Sequence, residues 1–168
     1  NPGTALLYIP VNENLCGSIL GREVEYEPGR SFTGAESQMT VWPGAEHIGE
    51  LQAWDMNTGE EVWTREFESP NWGPILTTAG NLVFMGGTTD RNFRAFDART
   101  GDQLWEHGTN SGVIGVPSTY MIDGVQYIAV QSGWGVDAAS MTRRINRDLG
   151  TEIFVPEGGV IWVFALQN

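Results

Sequence analysis

Lysine is absent from all 168 residues, cysteine occurs once and histidine twice. Without lysine there is no Schiff-base nucleophile and no P-loop lysine to reach a nucleotide phosphate. Cys16 is the only thiol, so the chain forms no internal disulfide and no cysteine-based metal cluster. The expectation is a buried free thiol, with a partner in another segment as the alternative. His47 and His107 have no Cys or His companion at metal-ligand spacing and read as surface or turn residues. No apolar run approaches the ~20 residues of a membrane-spanning helix. Basic residues are scarce too: nine arginines face 21 acidic residues, a net charge of −12. That excludes a phosphate-tracking nucleic-acid surface. It leaves a solvated acidic exterior, or steering of a basic partner such as an electron carrier.

What the chain has is a motif that occurs twice, Ala53-x-Asp55-x-x-x-Gly59-x-x-x-Trp63 and Ala95-x-Asp97-x-x-x-Gly101-x-x-x-Trp105, offset by 42 residues. The offset is about the length of one four-stranded propeller blade. Each copy reads as a hairpin. The Asp carboxylate accepts bonds from backbone N–H groups two residues on, Gly supplies a positive φ, and the returning strand ends in Trp. An indole so placed buries on the order of 200 Å² and offers its N–H to a backbone carbonyl of the neighbouring blade. Trp63 and Trp105 are therefore both expected to rivet one blade to the next.

Short apolar strands introduced by Gly accompany the hairpins: 3–9, 80–85 and 124–130. A last run, 158–166, resembles the first strand of the hairpin and stops before any Gly-x-x-x-Trp. It is expected to be the last strand of a ring, closing onto a blade begun elsewhere. With 22 glycines and 8 prolines the chain is one domain's worth of turn-rich β protein, short for a propeller of roughly 4 to 8 blades. It begins at Asn1 in the approach to a strand, with no initiator methionine or leader pattern, and is expected to be part of a longer, processed or split polypeptide. The glycine pairs Gly86-Gly87 and Gly158-Gly159 do not fit a G-x-G-x-x-G nucleotide loop.

Of seven tryptophans, two more stand in glycine- or proline-flanked loops, Trp72 in Ser69-Pro70-Asn71-Trp72-Gly73-Pro74 and Trp134 in Ser132-Gly133-Trp134-Gly135. Both loops border inner strands and so point at the central opening. Two readings are open: a flat apolar slot for a planar aromatic ligand, or rings that fill the neck of the propeller.

The twin hairpins resemble the tryptophan-docking motifs of the quinoprotein alcohol dehydrogenases, eight-bladed propellers that bind pyrroloquinoline quinone (PQQ) on their axis. Segments 1–10, 72–84, 111–117 and 158–164 are also similar, in order, to that family's C-terminal third. The resemblance covers essentially the whole chain. It implies an all-β fold, the C-terminal blades of an eight-bladed β-propeller with tryptophan-docking motifs. Residues 1–168 would make about three blades including the ring-closing strand, completed by an N-terminal portion of the same propeller.

By the same resemblance Asn12, in Ile9-Pro10-Val11-Asn12, reaches the quinone and Trp72 borders it. The loop holding Gly133 and Trp134 closes over the cofactor and substrate pocket. Relatives like methanol dehydrogenase carry a longer glycine-rich form of that loop, a departure that bears on Trp134. The cofactor-binding set is thus Asn12, Trp72, Gly133 and Trp134. The catalytic aspartate, the ligands of the Ca²⁺ or lanthanide ion, an adjacent-cysteine disulfide and a stacking tryptophan belong to the family's earlier blades. This chain is expected to hold no catalytic residue and no metal ligand. The implied reaction is oxidation of a primary alcohol, an aldehyde or a sugar alcohol with hydride transfer to PQQ, a cytochrome c-type electron acceptor and a periplasmic location. The runner-up is a non-enzymatic propeller scaffold, which has no need for Asn12, Trp72 and Trp134 to converge.

Two segments stand outside the repeat. Residues 16–50, with Glu23, Glu25, Glu27 and Glu36, read as a loop over one propeller face, for access or docking or as a packed structural excursion. Residues 141–147, with Arg143, Arg144 and Arg147, form a basic patch for a carboxylated ligand or an acidic neighbour.

Overall fold

The computed structural model describes residues 1, 3–29 and 34–166. Pro2 and residues 30–33 of the 16–50 excursion lie outside the described residues. The body of the fold is three antiparallel sheets, taken in sequence order. The first orders β1 (Leu6–Asn12), β4 (Gly49–Asp55) and β5 (Glu61–Phe67). The second is a four-stranded meander of β6 (Ile75–Thr77), β7 (Leu82–Met85), β8 (Asn92–Asp97) and β9 (Gln103–Gly108). The third orders β10 (Ser118–Ile122), β11 (Val125–Ser132) and β12 (Val160–Ala165). A separate hairpin of β2 (Leu15–Gly21) and β3 (Ala35–Val41) is inserted between β1 and β4. A helix, α1 (Val136–Leu149), is inserted between β11 and β12.

Both repeated hairpins fold as their residues dictate. The Asp55 carboxylate accepts the backbone N–H of Asn57 at 2.7 Å, and that of Asp97 accepts the N–H of Arg99 at 2.8 Å. Gly59 and Gly101 both take φ 72°, and each sheet shifts register one residue after the motif's Ala. A bulge at the same place in both copies gives the same added twist.

The sheets pack face to face, and β7, buried on both sides, reads as the apolar run Leu82-Val83-Phe84-Met85. Val83 and Met85 of β7 point into a core shared with Leu6, Tyr8, Leu51 and Trp63 of the first sheet. Phe84, between them in sequence, points the other way into a core shared with Ile128 and Val130 of the third. Trp63 lies between sheets one and two, 9% exposed, and its N–H donates to the Ala98 carbonyl at 3.1 Å. Gly101 is required there twice over: φ is positive, and a Cβ would stand 2.6 Å from the Trp63 ring. Trp105, at the same place in the second copy, meets Phe164 of the third sheet edge-on at 5.0 Å and is 38% exposed among the described residues.

Three local expectations are corrected. Cys16 is exposed on β2, where no described residue packs over that face of the hairpin. β2 and β3 pair as a two-stranded ladder of seven residues, Leu15 to Val41 through Gly21 to Ala35, in place of the expected loop. β12 pairs with β11 of this chain, so it continues a sheet begun at Ser118. The basic patch lies on α1, whose buried Ala138, Thr142 and Ile145 follow helical spacing. Asp137 sits in its first turn and Gly150 closes it in the left-handed region at φ 69°.

Candidate functional site

Register places the sequence-predicted residues at one end of the three sheets. Asn12 at the end of β1 faces Gly49, and Gly49 faces Phe67, so the connection from β5 to β6 that carries Trp72 starts at that end. Ile75 pairs with Met85, which puts the start of β6 and the end of β7 there as well. The third sheet joins through a parallel bridge between Val113 and Gly133.

Asn12 and Trp72 are linked through the residue between Pro70 and Trp72. The Asn71 N–H donates to Asn12 Oδ1 at 2.8 Å, and Asn12 Nδ2 makes a long bond of 3.5 Å to the Asn71 carbonyl. One N–H of the Asn12 amide is left without a partner among the described residues. The Trp72 N–H donates to the Gly87 carbonyl at 3.1 Å. The chain can approach so closely because both sides lack a Cβ: one built on Gly73 would stand 2.0 Å from the Gly86 carbonyl oxygen, and one on Gly87 1.8 Å from the Gly73 nitrogen.

Trp72 is half-buried and its ring centroid lies 5.6 Å from that of Trp134, the planes tilted by 43°. Trp134 is 3% exposed under α1, where its N–H donates to Thr142 Oγ1 at 2.9 Å. Gly112 lies flat against the Trp134 ring, since a Cβ there would come within 1.9 Å of it. The Gly133 N–H is bonded to the Gly112 carbonyl at 2.7 Å. The four residues therefore sit together in distinct settings. Asn12 and Trp72 keep open polar and apolar surface, Gly133 is backbone-bonded, and Trp134 is packed behind. A cavity of about 510 Å³ adjoins Trp134, bounded by Ile114, Gly133, Gly135, Arg143 and Gly158.

Two inserted elements rise from the same end and touch each other. Asp148 of α1 accepts the Met39 N–H of β3 at 2.9 Å. Hydrogen bonds from Arg147 and then from the Met39 N–H hold the Asp148 carboxyl below the ordinary carboxylate range. His47 is not a free surface residue: it meets the buried Glu50 at 2.6 Å and Asn14 Nδ2 donates to its carbonyl at 3.1 Å. Glu50 in turn accepts from Gln52 at 2.6 Å. Among the described residues no three His, Cys, Asp or Glu side chains are grouped so as to hold a metal ion. No helix of the described residues is long and apolar enough to cross a membrane. Sequence reasoning missed Asn71 and Asp148. The only local signal for Asn71 was a polar residue wedged between Pro70 and Trp72.

Consecutive antiparallel sheets stacked through apolar faces, with connections gathered at one end, define the chain as part of a β-propeller. Residues 64–128 match the family described as "PQQ: Glucose/ethanol/alcohol dehydrogenase, beta-propeller domain". All of the chain aligns with the quinoprotein alcohol dehydrogenase PedH of Pseudomonas putida, 40% identical over 174 residues that make up 27% of that protein. It likewise aligns throughout with a lanthanide-dependent methanol dehydrogenase of Methylorubrum extorquens, 34% identical and covering 30% of it. Among solved structures, a europium-containing methanol dehydrogenase superposes on 99% of the chain with a TM-score of 0.82 and 32% identity, over 32% of its own length. The chain belongs to the quinoprotein, PQQ-dependent alcohol dehydrogenase family. It spans about a quarter of the length of the curated relatives it matches.

Proposed function

We infer that this chain forms one wall of the cofactor slot of a PQQ-dependent dehydrogenase of primary alcohols. The observation that carries the reading is the contiguous set Asn12, Asn71, Trp72 and Trp134 at one end of three propeller sheets. A scaffold has no use for that convergence. The residues present fit a planar quinone: Asn12 has an amide N–H with no partner among the described residues, and Asn71 ties it to the segment that carries the half-buried Trp72. When bound, PQQ supplies the acceptor for the hydride of the alcohol.

The residues of this chain bind and orient. Asn12 donates its remaining N–H toward a quinone oxygen, with its amide oxygen pinned by the Asn71 N–H at 2.8 Å so that the group cannot turn away. Trp72 lays apolar surface along the ring system. Trp134, anchored to Thr142, backs Trp72, while α1 keeps water from that side. Gly133, lacking a side chain, lets the backbone close in on the slot. The catalytic aspartate and the Ca²⁺ or lanthanide ligands are assigned to the portion of the propeller N-terminal to these residues. A cytochrome c-type acceptor and a periplasmic location complete the proposal. A relative named 1-butanol dehydrogenase (cytochrome c), from Thauera butanivorans and 34% identical, supports the former.

The test is the ultraviolet-visible spectrum of the full-length polypeptide loaded with PQQ and Ca²⁺ or a lanthanide, recorded before and after a primary alcohol is added. A quinone band that changes with alcohol supports the reading. A full-length protein that retains no quinone removes it.

A further inference from the structure

We propose that Asn71 is a positioning residue for the cofactor slot, which sets the orientation of Asn12 by tying the segment that holds it to two blades at once. The inference rests on the reading of Asn12 and Trp72 as quinone-facing.

Asn71 is 2% exposed, and both polar atoms of its side chain have hydrogen-bond partners. Its Nδ2 donates to the Glu50 carbonyl of β4 at 2.8 Å, and also to the Met85 sulfur of β7 at 3.1 Å. Its Oδ1 accepts the Gly73 N–H at 3.2 Å. One carboxamide thus joins a strand of the first sheet, a strand of the second and the turn that carries Trp72. The backbone of the same residue holds Asn12 from both sides through its N–H and its carbonyl. A fully satisfied buried amide of this kind fixes one geometry, because any displacement leaves a donor or acceptor unpaired in the interior.

The surrounding backbone is shaped for that residue. A Cβ on Gly49 would come within 2.3 Å of the Ser69 carbonyl oxygen and 2.8 Å of the Asn71 nitrogen. On the other side Gly73 and Gly87 touch backbone to backbone. Residues 69–73 are therefore clamped between two sheets at glycine contacts, with the Asn71 amide as the polar fastening inside the clamp. The consequence is functional rather than only structural: the one Asn12 donor left open points where Asn71 permits. A hydrogen bond to a quinone oxygen is directional and steep in angle, so a small rotation of Asn12 weakens it strongly.

The experiment uses the full-length, PQQ-loaded protein with four variants: Asn12→Ala, Asn71→Ser, Asn71→Ala, and Asn12→Ala combined with Asn71→Ala. The readouts are the absorption maximum of the bound quinone, its midpoint potential, and the thermal midpoint of the quinone-free protein. The expected result is that Asn71→Ala and Asn71→Ser shift the quinone band and potential in the same direction as Asn12→Ala. The double variant should add nothing beyond the larger single shift, the signature of residues that act through one contact. Additive shifts, or an unchanged band and potential in folded Asn71 variants with only the thermal midpoint lowered, would overturn the proposal and leave Asn71 as a structural tie. If Asn12→Ala itself leaves band, potential and quinone retention unchanged, the placement of the slot fails first. Should Asn71→Ala not fold, Asn71→Ser keeps a hydroxyl in the clamp and carries the comparison.

Discussion

Replacing Trp63 by alanine tests the inter-sheet rivet directly. The Trp63 ring fills the space between Tyr8, 5.7 Å away, and the backbone of Gly101, and it is 9% exposed. Emptying a buried indole site costs about 3–5 kcal/mol, most of it cavity and lost contact. The hydrogen-bonding part is small, of order 1 kcal/mol. The Ala98 carbonyl keeps a second donor, Tyr8 Oη at 2.9 Å, so truncation orphans no buried acceptor. Urea unfolding of the full-length polypeptide, followed by circular dichroism with midpoint and slope compared, reads the loss. A Trp63→Ala loss under ~1 kcal/mol would refute the packing argument.

Trp72→Ala should lower quinone retention severalfold while the thermal midpoint of the quinone-free protein moves much less than in Trp63→Ala, because the Trp72 ring is only half-buried; equal retention removes Trp72 from the slot. Asp90→Asn breaks the pair with Arg94, whose side chain is 8% exposed. The cost should be about 1–2 kcal/mol, short of a fully buried pair, since 46% of the Asp90 side chain is open to water. Burial pushes the Asp90 carboxyl up, but bonds from Arg94 and Thr88 outweigh it and hold the group below its ordinary 3.8. Its contribution is present above the unfolded value and lost as pH falls through the folded one, so Asp90→Asn should flatten the acid limb below about pH 4. An acid titration of stability unchanged by the substitution contradicts the pairing. Gly87→Ala should destabilise by several kcal/mol, since φ is 97° and the new Cβ would meet the Gly73 nitrogen at 1.8 Å; a soluble variant with an unchanged melting midpoint would refute the close approach.

The hairpins were legible because their chemistry is local. Asp55 and Gly59 specify a turn wherever the chain goes, and the second copy 42 residues on supplied the architecture. The rivet reading holds for Trp63, whose ring meets Gly101 and whose N–H reaches the Ala98 carbonyl, while Trp105 leans on Phe164 of the third sheet. The helix was hidden by its own surface. Arg143, Arg144 and Arg147 drew the reading toward charge, while the Ala138, Thr142 and Ile145 stripe and the Gly150 cap carried the fold signal. The site was half legible. Asn12, Trp72 and Trp134 were named from motifs and lie together, whereas Asn71 acts through Glu50, Met85 and Gly73, partners on two sheets that no local pattern joins.

The most direct measurement is an experimental structure of the full-length protein with PQQ bound. The account predicts a quinone oxygen within hydrogen-bonding distance, about 3 Å, of Asn12 Nδ2, with Trp72 against the ring system. A quinone that lies away from the end of the sheets holding Asn12 and Trp72 would contradict it.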